Sequence, residues 1–180
     1  MWYSQTAETT APPRRVWEVW TDVERWPAWD PELREASLDD ATFEVGARGT
    51  LRPRVGPPAP FVVTDCEDVR SFCYAVDLPL AELDVRRSLH SHDGGTTFVH
   101  EVWFEGPLAG LYSRTLGRRY RRVLPEQCGR LQEQILKCDL ALRESTRAVK
   151  GHGVVHQPRR VAIYVLAPLP EDRLEHGLVE

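Results

Sequence analysis

The spacing of apolar side chains at the start of the chain changes from a two-residue to a helical period. Residues 2–9 alternate loosely and contain no helix breaker, which predicts a first strand. Apolar residues then recur at i, i+3, i+4 and i+7 over residues 16–23, which predicts a helix with one buried face. Thr9 or Thr10 is expected to cap that helix, and Pro12–Pro13 suits its first turn.

From residue 33 to residue 104 the pattern is that of a sheet. Six short β-compatible runs are separated by turn residues about every ten positions, which predicts an antiparallel meander. Gly94–Gly95 is the predicted hairpin turn before the last strand, and the proline-rich segment 26–31 predicts a short turn before the first. The predicted strands are 33–38, 47–54, 60–66, 71–77, 82–90 and 96–104.

The next segment carries the longest helical pattern in the chain. After Gly106–Pro107, a stripe of apolar side chains recurs every three or four residues and fades after Arg143. Pro125 is expected to kink this helix or to mark a restart, because proline removes one backbone hydrogen bond. The stripe consists of Leu108, Leu111, Tyr112, Leu116, Tyr120, Val123, Leu124, Cys128, Leu131, Ile135, Cys138 and Leu142.

The C-terminal residues have a different character. We expect one folded domain over residues 1–145 and an extension over residues 146–180. Within the extension, residues 161–166 form a short apolar, β-branched run that predicts an edge strand or a strand that pairs with a second copy of the chain, giving a homodimer. The acidic residues 171–180 predict a mobile tail.

This order of elements predicts an α+β architecture. A curved antiparallel sheet of about seven strands is expected to wrap around the long C-terminal helix, with a short helix after the first strand. The apolar stripe of the long helix must be buried, and the sheet is the surface large enough to cover it. A twisted sheet does not close perfectly on one helix, so the pattern predicts an apolar cavity between them.

Several sequence pieces, in this order, resemble the START-like superfamily (helix-grip fold, also called SRPBCC or polyketide cyclase/dehydrase-like). The resemblance covers roughly residues 1–145, and it implies a helix-grip fold that binds a ligand such as a lipid, polyketide or quinone. The pieces are Ala11-Pro12-Pro13-Arg14-Arg15-Val16-Trp17 leading to Asp22, Trp26-Pro27-x-Trp29, Gly46-Ala47-Arg48-Gly49, Gly94-Gly95-Thr96, Gly106-Pro107-Leu108 and Leu116-Gly117-Arg118.

Composition narrows the classes of function. The chain has 180 residues and a formal net charge of −4, which gives no basic signature for DNA binding. No apolar run is long enough to span a membrane and the N-terminus lacks a signal-peptide pattern, so we expect a cytoplasmic protein. The four cysteines form no C-x-x-C pair, and His90 and His92 lack a third ligand. No metal or cofactor is expected.

The cavity is expected to be lined by aromatic and apolar residues of the sheet, the first helix and the long helix, because aromatic rings fill cores and also stack on planar ligands. The predicted lining is Trp20, Trp29, Phe61, Phe72, Tyr74, Phe98, His100, Val102, Tyr112 and Leu116.

Candidates for acid–base chemistry are few. His100 shares a strand face with Phe98 and Val102, whereas its neighbour Glu101 points to the opposite face; a register shift of one residue would exchange them. Tyr74 is a further candidate hydrogen-bond donor. The sequence contains no nucleophile elbow, phosphate loop or dinucleotide fingerprint.

Arginines cluster early in the long helix. Arg114, Arg118, Arg119, Arg121 and Arg122 fall within nine residues, and no Asp or Glu occurs between positions 107 and 125. On a helix, Arg114, Arg118 and Arg121 or Arg122 share a face, which forms either a solvated surface or a contact for an anion, a membrane surface or RNA.

Three functions remain open at this stage. The first is a non-catalytic carrier of a small apolar ligand, and the second is a cyclase- or aromatase-like enzyme that uses His100 or Tyr74 in enolisation. The third is an interaction protein that uses the arginine face. The lack of a clear acid–base pair favours the carrier, whereas two buried polar groups facing each other across the cavity would favour the enzyme.

Overall fold

The computed structural model describes the backbone of residues 2–151 and the side chains of residues 2–141. The predicted edge strand 161–166 and the acidic tail lie outside the described residues. Seven strands form one antiparallel sheet in the order β1-β7-β6-β5-β4-β3-β2, as the meander predicted. The strands are β1 (Trp2–Thr9), β2 (Leu33–Leu38), β3 (Arg48–Pro53), β4 (Ala59–Glu67), β5 (Ser71–Leu78), β6 (Ala81–His92) and β7 (Gly95–Glu105).

Two short helices connect β1 to β2. Helix α1 (Pro13–Thr21) follows β1, and after a single 3₁₀ turn (Val23–Arg25) comes the one-turn helix α2 (Trp26–Trp29). The predicted threonine cap is wrong: the residue before α1 is Pro12, and its first turn has no side-chain cap. The Thr9 hydroxyl instead accepts a hydrogen bond from the Ala11 backbone N–H, which tightens the turn between β1 and α1.

The long helix α3 (Ala109–Gly151) lies on the concave face of the sheet, with contacts to β1, β7, β6, α1 and α2. It is one continuous helix through Pro125, and position 145 lies within it. Most of its buried side comes from the predicted stripe, including Val123, Leu124, Cys128, Leu131 and Ile135. This is the helix-grip architecture expected from the order of elements. Leu111 was predicted wrongly: it is 56% exposed, because in this turn Ser113 is the residue that is buried against the sheet.

The hairpin between β6 and β7 differs by one residue from the prediction. Its turn is Asp93–Gly94, and Gly95 is the first residue of β7. Gly95 has a φ of +140°, and a Cβ there would lie 2.1 Å from the Thr9 carbonyl oxygen. The next residue, Thr96, donates a hydrogen bond to the Ala11 carbonyl at 2.7 Å. This junction anchors the segment before α1 to the end of the sheet.

One hydrophobic core joins the sheet to all three helices. Within residues 2–151, no helix is long and apolar enough to cross a membrane. The four cysteines are free thiols; Cys128 is buried in the core, and the other three are partly exposed.

Candidate functional site: a polar-ended cavity beneath helix α3

The sheet and α3 enclose a cavity of about 630 Å³. Its walls are mostly apolar and come from strands β2 to β7 and from α3, because alternate residues of a strand face the helix. Leu33, Leu51, Val76, Leu83, Val85, Val102, Leu116, Val123 and Leu124 supply most of the apolar wall.

The cavity has an exposed end and a buried end. We call the exposed end the mouth; Val55, Pro57, Pro58 and Pro79 line it, and Val55 is 73% exposed. The buried end, here called the inner end, is lined by five polar residues that are each at least nine-tenths buried. These are Asp30, Tyr74, Arg87, His100 and Gln127.

The strand register explains why the cavity stops at the inner end. On β6 the inward positions run Leu83, Val85, Arg87 and Leu89, and all but Leu89 line the cavity. Leu89 pairs with Phe98 on β7, where the core is solid. Arg87 therefore lies at the last inward position of β6 before the core closes.

Arg87 is the most unusual residue of the site. It is only 2% exposed, and its Nε and Nη1 atoms have no hydrogen-bond partner. Its Nη2 atom donates one long hydrogen bond, 3.4 Å, to the Tyr74 hydroxyl. Burial lowers the pKa of the guanidinium, but an arginine stays charged in a protein. A buried cation with unfilled donors is costly unless something pairs with it.

Aromatic rings surround this guanidinium. The Arg87 Cζ lies 4.5 Å from the ring centroid of Trp29, 4.7 Å from that of Trp26 and 5.5 Å from that of Phe72. Cation–π contacts of this kind offset part of the cost of burying the charge. Ring faces provide no lone pair for the N–H groups, so the unfilled donors remain.

Asp30 is the acidic residue of the inner end, and it does not pair directly with Arg87. Its Oδ1 accepts a hydrogen bond from the Glu32 backbone N–H at 2.9 Å, and the Gln127 side chain also hydrogen-bonds to it. Burial raises the pKa of Asp30, which the two hydrogen bonds and the field of Arg87 only partly oppose. None of the ion pairs within 4.0 Å among the described side chains involves Arg87.

His100 and Tyr74 contribute neutral groups. Burial, together with the neighbouring Arg87 charge, lowers the pKa of His100 well below 6.5, and its Nε2 has no hydrogen-bond partner. Burial raises the pKa of Tyr74 to about 12, so it is a protonated phenol at neutral pH. The register places Glu101 on the opposite face, where it is partly exposed.

The predicted lining residues divide into two groups. Tyr74, His100, Val102, Tyr112 and Leu116 line the cavity. The other five are buried but do not line it, because they pack against one another and against Trp26 in the solid core around the inner end. These are Trp20, Trp29, Phe61, Phe72 and Phe98.

The predicted arginine surface lies on the outer side of α3. Arg114, Arg118, Arg121 and Arg122 are exposed, and Arg121 lies with its Cζ 5.8 Å from the Tyr3 ring centroid. Arg119 points instead toward the cavity, which it lines, and forms an ion pair with Glu32 at 2.6 Å. An anion or partner contact at the outer arginines stays a prediction.

Sequence reasoning missed Arg87, Asp30 and Gln127. Arg87 had a signal, since it interrupts the apolar alternation of Leu83, Val85 and Leu89. Gln127 also falls on the apolar side of α3, next to Cys128. Asp30 directly follows the short helix α2, and its carboxylate accepts a hydrogen bond from the backbone N–H of Glu32, two residues later.

Solved structures with the same fold are numerous. Protein NE0264 from Nitrosomonas europaea superposes with a TM-score of 0.60 at 14% identity, covering 78% of this chain and 97% of that one. Ara h 8.0201 gives a TM-score of 0.54 at 10% identity over 74% of this chain and 98% of that one. The di-domain ARO/CYC BexL from the BE-7585A biosynthetic pathway gives 0.57 at 16%, over 74% of this chain and 49% of BexL. These likenesses show the fold.

A family profile gives a more specific assignment. No curated protein matches the sequence. The profile described as "Polyketide cyclase / dehydrase and lipid transport" matches residues 3–135, which include every element from β1 to the part of α3 that lines the cavity. The chain therefore belongs to the polyketide cyclase/dehydrase and lipid transport family, within the START-like superfamily that its sequence resembles.

Proposed function

We propose that this protein binds and carries a small, largely apolar molecule in the cavity between the sheet and α3. The observation that carries the proposal is the cavity itself, about 630 Å³ with mostly apolar walls and five buried polar residues at its inner end. Its family profile includes lipid transport in its description, which supports this class of function.

The energetics fit an apolar guest. Each Å² of apolar ligand surface removed from water contributes roughly 25 cal/mol, so the long apolar wall supplies the affinity. The polar groups at the inner end fix the orientation of the guest, as in most small-molecule sites.

The polar groups favour a carrier over a general acid–base enzyme. His100 touches the rings of Trp20, Trp29 and Phe98, and its Nε2 has no hydrogen-bond partner among the described residues. A catalytic base near neutral pH needs a pKa close to the working pH, whereas the pKa of His100 is lowered well below 6.5. Asp30 is engaged by Gln127 and by the Glu32 N–H.

The test is binding of the neutral fluorescent probe N-phenylnaphthylamine to the purified protein. Val102 lies midway along the cavity wall, so Val102→Phe narrows the cavity. We expect saturable binding to the unmodified protein and roughly tenfold weaker binding to Val102→Phe.

The matched control is Val99→Phe. Val99 lies on the same strand but on the outer face of the sheet. The Val99→Phe substitution adds the same ring outside the cavity, so the affinity for the probe should not change. No saturable binding to the unmodified protein, or equal losses in two variants that both melt cooperatively, would overturn the proposal.

A second candidate is a cyclase- or aromatase-like enzyme. Arg87 and His100 lie on the sheet, and Asp30 and Gln127 lie on the opposite wall of the cavity. Buried polar groups that face each other across a cavity favour such an enzyme. In such a reaction His100 would accept an α-proton and Arg87 would stabilise the enolate oxygen. Incubation with a linear poly-β-ketone thioester tests it: a cyclised aromatic product that His100→Phe abolishes would establish this function instead.

A further inference from the structure

We propose that the ligand of this cavity is an apolar carboxylic acid, bound as its carboxylate by Arg87 at the inner end. The inference rests on the proposed function and names the class of ligand for that site.

The donors themselves require an acceptor. Nε carries one hydrogen and Nη1 carries two, and none of the three has a partner. A carboxylate accepts hydrogen bonds at both oxygens and matches the planar guanidinium, so it fills such donors better than a carbonyl or hydroxyl. The Tyr74 hydroxyl, 3.4 Å from Nη2, is a further donor close to the same position.

The charge of Arg87 has no directly paired anion in the inner end. Arg87 has no ion-pair partner within 4.0 Å among the described side chains, and the Asp30 carboxyl is occupied by Gln127 and the Glu32 N–H. His100, directly across from Arg87 on β7, adds no negative charge. A bound anion would neutralise the one buried cation that the described part of the chain leaves unpaired.

The position of Arg87 sets the direction of binding. It occupies the last inward position of β6 before the solid core, whereas the wall toward the mouth is mostly apolar. A guest that enters acid group first would place its carboxylate against Arg87. Its apolar body would then lie along Val85, Val102 and Leu116 toward the mouth.

The experiment compares dodecanoate with methyl dodecanoate as competitors of N-phenylnaphthylamine at pH 7.5. The two share the same chain and differ in the charge of one end. We expect dodecanoate to displace the probe at roughly tenfold lower concentration, because a charge-assisted hydrogen bond is stronger than a neutral one. Arg87→Met should abolish that preference.

The matched control is Arg86→Met, since Arg86 is the next residue on β6 but is exposed on the outer face. It should keep the preference for the acid. Equal displacement by acid and ester in the unmodified protein, or a preference that survives in Arg87→Met, would overturn the inference while the proposed function stands. If the probe does not bind the unmodified protein at all, the proposed function itself fails.

A second measurement avoids the variant, in case Arg87→Met does not fold. In the unmodified protein, the Arg87 Nε–Hε signal in a nitrogen-edited NMR spectrum should shift downfield with dodecanoate and not with the methyl ester. A signal that responds equally to both ligands, or to neither, would also contradict a carboxylate at Arg87.

Discussion

Arg87 and His100 are direct cross-strand partners on β6 and β7, and both side chains face the inner end of the cavity. Two basic groups are thus placed side by side in the core, and the inner-end carboxyl, Asp30, hydrogen-bonds to Gln127 and the Glu32 N–H. Only one of the two can hold a charge at low cost, and it is the arginine, because its intrinsic pKa is far higher. The imidazole is therefore held neutral.

This relationship predicts an acid-sensitive stability. The pKa of His100 is lowered in the folded protein, so the unfolded chain binds a proton near pH 6.5 while the folded one does not. The contribution of neutral His100 to the unfolding free energy is fully present above pH 6.5, and it is lost as the pH falls toward the pKa of His100 in the folded protein. His100→Phe should flatten the loss of unfolding free energy below pH 6.5.

Urea unfolding followed by tryptophan fluorescence at a series of pH values measures this change. Asp30 contributes with the opposite sign but is present in both proteins, so it cancels in the comparison. His90→Phe is the control, because His90 is exposed. Parallel pH profiles for the unmodified protein and His100→Phe would show that the imidazole is not held neutral.

Asp84 predicts a pH effect of the opposite sign. It lies on the outer face between Ala75 and Trp103, and its Oδ2 has no hydrogen-bond partner. Burial, with the nearby charges of Glu82 and Glu105, raises its pKa to about 6. A raised carboxyl pKa favours the folded state when the group is protonated, so stability is full below pH 3.8 and falls as the pH rises through about 6.

Asp84→Asn should therefore raise the melting temperature above pH 6 and leave it unchanged below pH 3.8. Differential scanning calorimetry across this range checks the prediction. Asp65→Asn, at an exposed site on β4, serves as the control for removing one negative charge from the sheet. A gain that is the same at every pH would point to a cause other than ionisation of Asp84.

Gly117 predicts a packing effect where α3 crosses β1. A Cβ at this position would lie 2.1 Å from the Tyr3 hydroxyl oxygen, which donates to the Ser113 carbonyl at 2.9 Å. Gly117→Ala forces the Tyr3 ring away from the helix and should cost about 1–3 kcal/mol of unfolding free energy.

Gly129→Ala is the matched control on the same helix, because a Cβ added there would meet nothing within 4 Å. It should stabilise the protein by up to about 1 kcal/mol, since alanine is the better helix former. Chemical denaturation of both variants gives the comparison. Equal changes in the two would mean that helix propensity, rather than contact with Tyr3, governs position 117.

The two tryptophans of α2 should differ in their sensitivity to truncation. Trp26 Nε1 donates to the Trp20 carbonyl at 2.8 Å, whereas Trp29 Nε1 has no acceptor. Both rings are fully buried and both contact the Arg87 guanidinium. Trp26→Phe should therefore cost about 1 kcal/mol more than Trp29→Phe, the net value of one hydrogen bond. Equal losses of unfolding free energy in the two variants, measured by denaturant unfolding, would show that the Trp26 hydrogen bond does not make the difference.

Much of the fold could be predicted because it depends on periodicity. The alternation of β7 and the stripe of α3 arise from side chains that must face one core, and a period of two or 3.6 residues is visible in the sequence. The cap of α1 and the β6–β7 turn were missed by a few residues. In both places a local bond decided the outcome, since the Thr9 hydroxyl binds the Ala11 N–H and Gly95 must pass close to Thr9.

The cavity residues were predicted less completely. Sequence alternation by itself determined that Phe98, His100 and Val102 share one face of their strand and that Glu101 lies on the other. Which of the two faces is the inner one was left open, and the pairing of β6 with β7 decides it. Alternation does not give depth, so it could not separate residues that line the cavity from those, such as Phe72 and Phe98, that close it. Depth depends on which residues are paired across neighbouring strands and on where α3 lies above them. Those relationships also left Arg87 buried without an acceptor, and they exist only in the folded chain.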